Sequence, residues 1–112
     1  MKTLSEWQAH VYAGMDAKGF HAGRSGDGRD DTLVRLCLLT TEVSEAAQVV
    51  KRHGLTDPAH KAEFAEELAD VAIRLLDLAG CTGVDLEAAV AAKMAKNMAR
   101  PHLYGTPNGV AK

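Results

Sequence analysis

The chain has no apolar run near the roughly 20 residues that a membrane-spanning helix requires, so no membrane partner is expected. It also lacks a basic block. Its 13 Lys and Arg stand against 15 Asp and Glu, for a formal charge of −2, and no segment has the composition that grips a nucleic-acid backbone. Only two cysteines occur, Cys37 within an apolar run and Cys81 after one, and no secretory signal is legible. A cytoplasmic protein with reduced, buried thiols is the expectation. No period-two alternation of useful length appears, which excludes a sheet, and there is neither an internal repeat nor a nucleophilic triad. Aromatic residues are scarce at 4%, so candidates for reading a nucleobase reduce to Trp7 and Phe20, with His10 and His21 beside them.

What is present is helical patterning over 112 residues, a usual length for one domain though near the lower end of comfortable core size. Thr3 and Glu6 have capping-box spacing and open a first helix that runs to about Ala17, with Leu4, Trp7, Val11 and Met15 on its apolar side. Residues 18–31 are rich in glycine and charge and read as a flexible loop able to close over a substrate. Asp30 or Asp31 then caps a second helix, which continues to about Arg52 before His53-Gly54 stops it. Asp57-Pro58 supplies the cap and first turn of a third helix that reaches Ala79, with Gly80 as its stop. A fourth runs from Asp85 to about Ala99, ended by Pro101, and residues 101–112 form a loose tail. The expectation is a single all-α domain, a four-helix bundle-like subunit. The second helix is apolar around most of its circumference, so it should be central, and a subunit this small needs a second copy to cover it.

Two acidic pairs carry the chemistry. Glu42-Val43-Ser44-Glu45 and Glu67-Leu68-Ala69-Asp70 each place two carboxylates three residues apart, on one side of a helix. Glu42 and Glu45 share a narrow sector with Val34, Leu38 and Val49, and a carboxylate embedded among apolar side chains needs a compensating cation. The third helix is less decisive. Its stripe of Glu63, Glu66, Glu67, Asp70, Arg74 and Asp77, opposite Phe64, Leu68, Val71 and Leu75, equally describes a solvated amphipathic face. An all-oxygen donor set selects a hard cation, Mg²⁺ with Mn²⁺ as substitute, whereas a di-iron bundle requires Glu-x-x-His, which does not occur.

On the fourth helix Lys93, Asn97 and Arg100 fall in one line, a cation, an amide and a second cation suited to a polyphosphate. The same residues also suit the negative end of a helix dipole. Arg74, four residues after Asp70, can orient that carboxylate, touch phosphate or form an intrahelical ion pair.

Taken in order, these residues resemble the MazG-like all-α nucleoside triphosphate pyrophosphohydrolases, relatives of the dimeric dUTPases and dCTP pyrophosphatases. The resemblance spans most of the chain. It rests on Glu42-x-x-Glu45, a spacer, Glu67-x-x-Asp70, and on Lys18-Gly19-Phe20, Ile73-Arg74-Leu75, Val84-Asp85-Leu86 and Lys93-x-x-x-Asn97-x-x-Arg100-Pro101. Where the family's tail continues to a His-Gly-Lys group, this chain has Tyr104-Gly105-Thr106. The resemblance implies hydrolysis of an NTP or dNTP between the α and β phosphates. Glu42, Glu45, Glu67 and Asp70 would hold Mg²⁺, Glu45 would double as general base, and Lys93, Asn97, Arg100 and Arg74 would bind phosphate. Trp7, whose spacing with Leu4 and Val11 reads more often as core, is a further candidate substrate contact, and the assembly that the resemblance implies is a homodimer or homotetramer. Two other readings stay open: a non-catalytic helical module for nucleotide sensing or protein interaction, and a phosphoribosyl-ATP pyrophosphohydrolase.

Overall fold

A computed structural model describes residues 1–23 and 28–101, and among these it has four helices and no strand: α1 (Leu4–Ala17), α2 (Arg29–His53), α3 (Pro58–Thr82) and α4 (Leu86–Met98). The middle of the expected loop, 24–27, and the expected tail from 102 to 112, with Tyr104-Gly105-Thr106, lie outside the described residues. No described helix is long and apolar enough to cross a membrane.

Local chemistry sets most of the boundaries. The Thr3 hydroxyl accepts from the Glu6 amide at 3.1 Å, and the Glu6 carboxylate accepts from the Thr3 amide at 2.9 Å. Those hydrogen bonds, the backbone one first, hold the Glu6 carboxyl below its ordinary range. Asp57 accepts from Ala59 N at 2.8 Å and Asp85 from Ala88 N at 3.0 Å, so α3 and α4 begin at side-chain caps. The start of α2 differs from expectation. Gly28 occupies the cap with φ of 80° and no side-chain bond, which places Asp30 and Asp31 inside the first turn, where the helix dipole favours them.

The end of α3 differs as well. Gly80 does not stop it; the helix continues to Thr82 and ends at Gly83, whose φ of 70° is the left-handed cap. Gly80 serves packing instead. A Cβ there would lie 2.6 Å from Tyr12 Cδ1, so the missing side chain is what lets α1 approach α3. Gln8 on α1 adds a hydrogen bond, Nε2 donating to Val84 O at 2.8 Å.

The central helix is α3, not α2 as the apolar circumference of α2 predicts. Helix α3 packs most extensively on α2 and next on α1, while α4 packs chiefly on α1. The reason is that α2 has more apolar faces than one chain has helices to cover. Leu33, Leu36, Val43 and Val50 remain exposed, and Cys37, expected to be buried, is exposed with them. The core is correspondingly small: Ala46, Val49, Leu76 and Ala79 are its buried apolar residues.

Candidate metal and phosphate site

The α2–α3 seam is antiparallel, as the cross-pairs Arg35 with Asp77 and Glu42 with Arg74 show. Its character departs in part from what an amphipathic surface helix would present. Part of the α3 stripe that reads equally well as a solvated face, Glu67, Arg74 and Asp77, is turned toward α2, while Glu63, Glu66 and Asp70 stay exposed. From the apolar side Leu68 and Leu75 are 48% and 39% exposed, and Phe64 and Val71 are half-buried. Asp77, a member of that stripe, is the most deeply buried side chain among the described residues.

Within the seam the carboxylates converge. Glu42 from α2 and Glu67 and Asp70 from α3 each offer an oxygen within 4.8 Å of the others. Glu67 Oε2 is buried and has no hydrogen-bond partner among the described residues. Burial first, then the charges of Glu45, Asp70 and Glu42, push the Glu67 carboxyl above its ordinary range. Glu45 lies beside this cluster rather than within it, lining a cavity of about 410 Å³ together with Gln48, Arg52, Glu63 and Glu67. One cation already touches the cluster: Arg74 Nε donates to Glu42 Oε1 at 3.4 Å, across the seam, with its guanidinium 6.0 Å from the centre of the Phe20 ring.

The phosphate-binding candidates lie elsewhere in the chain. Lys93, Asn97 and Arg100 are exposed, and α4 leans on α1, where the Ser5 amide donates to Glu87 Oε1 at 3.2 Å. Arg100 falls just beyond the last residue of α4, its amide donating to Asn97 O at 3.2 Å. Trp7 is half-exposed and stands edge-on to His10 with ring centres 5.8 Å apart. It lines an apolar groove of about 730 Å³ between α1 and α3, with Val11, Met15, Ala72, Ile73 and Leu76. So the structure brings three of the acidic residues and Arg74 together, with Glu45 adjacent. It leaves Trp7 and the α4 residues apart from them.

One network is not legible as a site in the sequence. His21 is held between two carboxylates, its Nε2 2.7 Å from Asp77 Oδ1 and its Nδ1 3.0 Å from Asp16 Oδ1. Arg35 donates to the other Asp77 oxygen at 3.2 Å, to Asp31 at 2.9 Å and to Phe20 O at 3.0 Å. His21 is thus committed to the protein rather than to a nucleobase, and the turns at 18–23 are pinned to the helices. A signal existed: Arg35 interrupts an apolar run of α2 just as Glu42 does, and a cation there demands a buried anion.

No protein-family model, no curated protein and no solved structure matches this chain.

Proposed function

We propose that this protein hydrolyses a nucleoside triphosphate, NTP or dNTP, between the α and β phosphates, giving the monophosphate and pyrophosphate, with Mg²⁺ as cofactor. The observation that carries this is Glu67, whose buried Oε2 has no partner among the described residues and whose side chain converges with two further carboxylates of like charge. A hard divalent cation held by Glu42, Glu67 and Asp70 answers both deficits, and Mn²⁺ can substitute. When bound, it would neutralise charge on phosphate oxygens and acidify an attacking water.

The remaining roles fall to the chain's own side chains. Glu45 is close enough to raise Glu67 yet outside the cluster, so it is the carboxylate left to take a proton from water. Arg74 shields Glu42 in the metal-free protein and is near enough to turn to a phosphate once a cation takes its place. Lys93, Asn97 and Arg100 steady the leaving pyrophosphate. Because α4 leans on α1, this reading has a second copy deliver them to the seam. The groove beside Trp7 is apolar and large enough for a nucleobase.

Assembly is part of the same proposal. Leu33, Leu36, Thr40, Val43, Ala47 and Val50 recur at alternating steps of three and four along α2, and all are exposed. That is the seam by which helices of two chains pack, and a homodimer or homotetramer would cover it. The reading takes the protein to be cytoplasmic, with no nucleic-acid or membrane partner.

A panel of NTPs, dNTPs and phosphoribosyl-ATP, assayed for pyrophosphate release with Mg²⁺ and Mn²⁺, tests it. The expected result is turnover that Glu42→Gln and Asp70→Asn abolish while helical circular dichroism is unchanged. Turnover of phosphoribosyl-ATP alone narrows the activity to that substrate. No turnover of any nucleotide rejects the enzyme in favour of a binding module.

A further inference from the structure

Where α2 ends and α3 begins, a second group of metal-binding atoms converges outside the carboxylate cluster. His53 comes from the last turn of α2, and His60 and Glu63, three residues apart, come from the first turns of α3. One ligand atom from each lies within 4.8 Å of the others. The two imidazoles are stacked, ring centres 3.9 Å apart and planes 4° from parallel. The backbone keeps the two helix ends in register: Gly54, at φ of 67°, donates to Val50 O at 2.9 Å as the chain leaves α2, and the Asp57 cap starts α3.

We propose that His53, His60 and Glu63 form a second metal site, specific for a borderline transition ion of the Zn²⁺ type rather than Mg²⁺. Imidazole nitrogen is a favoured donor to Zn²⁺, Ni²⁺ and Cu²⁺, while Mg²⁺ takes oxygen and keeps its waters. Two histidines and one glutamate fill three tetrahedral positions of Zn²⁺ and leave the fourth open. Zinc-to-ligand distances of about 2.0–2.2 Å put neighbouring donors roughly 3.4 Å apart. Rotation of the side chains closes the present spread to that value. His53 and Glu63 are exposed, so these two can turn toward the half-buried His60 while both helices stay in place.

The site does not depend on the functional reading above, since none of its donors belongs to the Glu42, Glu67 and Asp70 cluster. Yet His53 and Glu63 line the same cavity of about 410 Å³ as Glu45 and Glu67. The two ions must therefore be told apart experimentally.

Zn²⁺ is titrated calorimetrically into wild-type protein and into the variant combining Glu42→Gln, Glu67→Gln and Asp70→Asn, while the histidine ring resonances are followed by ¹H–¹⁵N NMR. The expected result is that the combined variant still binds one equivalent of Zn²⁺, with changes confined to the rings of His53 and His60. Mg²⁺ at the same concentration changes neither ring. His53→Ala or His60→Ala in that background weakens Zn²⁺ binding by roughly tenfold or more. Ring resonances of His53 and His60 that do not respond to stoichiometric Zn²⁺ in the wild-type protein overturn the proposal, as does undiminished affinity in both alanine variants. Neither result bears on pyrophosphate release, so failure here and failure of the proposed activity are separable.

Discussion

Asp77 Oδ1 lies 2.7 Å from His21 Nε2, joining the turn after α1 to the most buried side chain of α3. The other Asp77 oxygen holds Arg35 of α2, so one carboxylate ties three parts of the chain. In a protein whose buried apolar core is so small, this polar knot takes over part of the work of a core.

Removing Asp77 strips buried Arg35 of one of its two carboxylate partners, Asp31 remaining, and breaking a buried pair costs up to about 3–5 kcal/mol. Asp77→Ala is therefore expected to lower the unfolding free energy by up to that order, read as a fall in the urea midpoint at unchanged slope and enough to threaten folding. Asp77→Asn, which keeps an acceptor, costs less. Equal effects of the two variants would show that the charge, lost in both, carries the stabilisation and that the retained acceptor adds nothing.

Glu67 gives a dependence on pH whose sign can be worked out. Its folded-state pKa is raised, so the folded protein holds the proton more tightly than the unfolded chain. Stability contributed by this group is full below the ordinary carboxylate range and falls as pH rises through the raised value, and the penalty persists at neutral pH. Glu67→Gln is expected to raise the melting temperature of metal-free protein at pH 7. Mn²⁺ raises that of the wild-type protein and not of the variant. A variant that melts lower without metal would contradict this account of Glu67.

At Gly80 two effects compete. Alanine in place of glycine inside a helix gains about 1 kcal/mol in propensity, while overpacking costs about 1–3 kcal/mol. Contact at 2.6 Å with the ring and 3.1 Å with Cβ of Tyr12 leaves that residue little room to retreat, so Gly80→Ala should be destabilising. Combining it with Tyr12→Ala should restore the gain, and a double-mutant cycle in thermal melts reads the coupling.

The exposed seam of α2 makes a prediction about assembly. Leu36→Glu with Val43→Glu places charges at its centre, so light scattering should show the wild-type oligomer reduced to monomer, with the helices retained. A wild-type protein that is already monomeric would leave these apolar residues without the partner proposed for them.

The caps were legible because they are local: Thr3 with Glu6, Asp57 before Pro58, and Asp85 each act within one turn, and the structure has all three. Gly80 misled because a glycine carries two meanings, a helix stop and a close approach, and only the presence of Tyr12 selects the second. The acidic pairs were visible as spacing, but spacing places two carboxylates on one helix and says nothing of the helix opposite.

By itself, then, the sequence determined the helical class, the helix starts at α1, α3 and α4, and the oxygen-rich character of the candidate ligands, since these follow from periodicity and neighbouring residues. Tertiary structure decided which face of α3 is covered, that Glu42 meets Glu67 and Asp70, and that Asp77 and Arg35 form a buried pair. The physical reason is that periodicity tells how a helix is divided into faces but not what each face will meet. A polar stripe is a solvated surface against water and a binding seam against another helix.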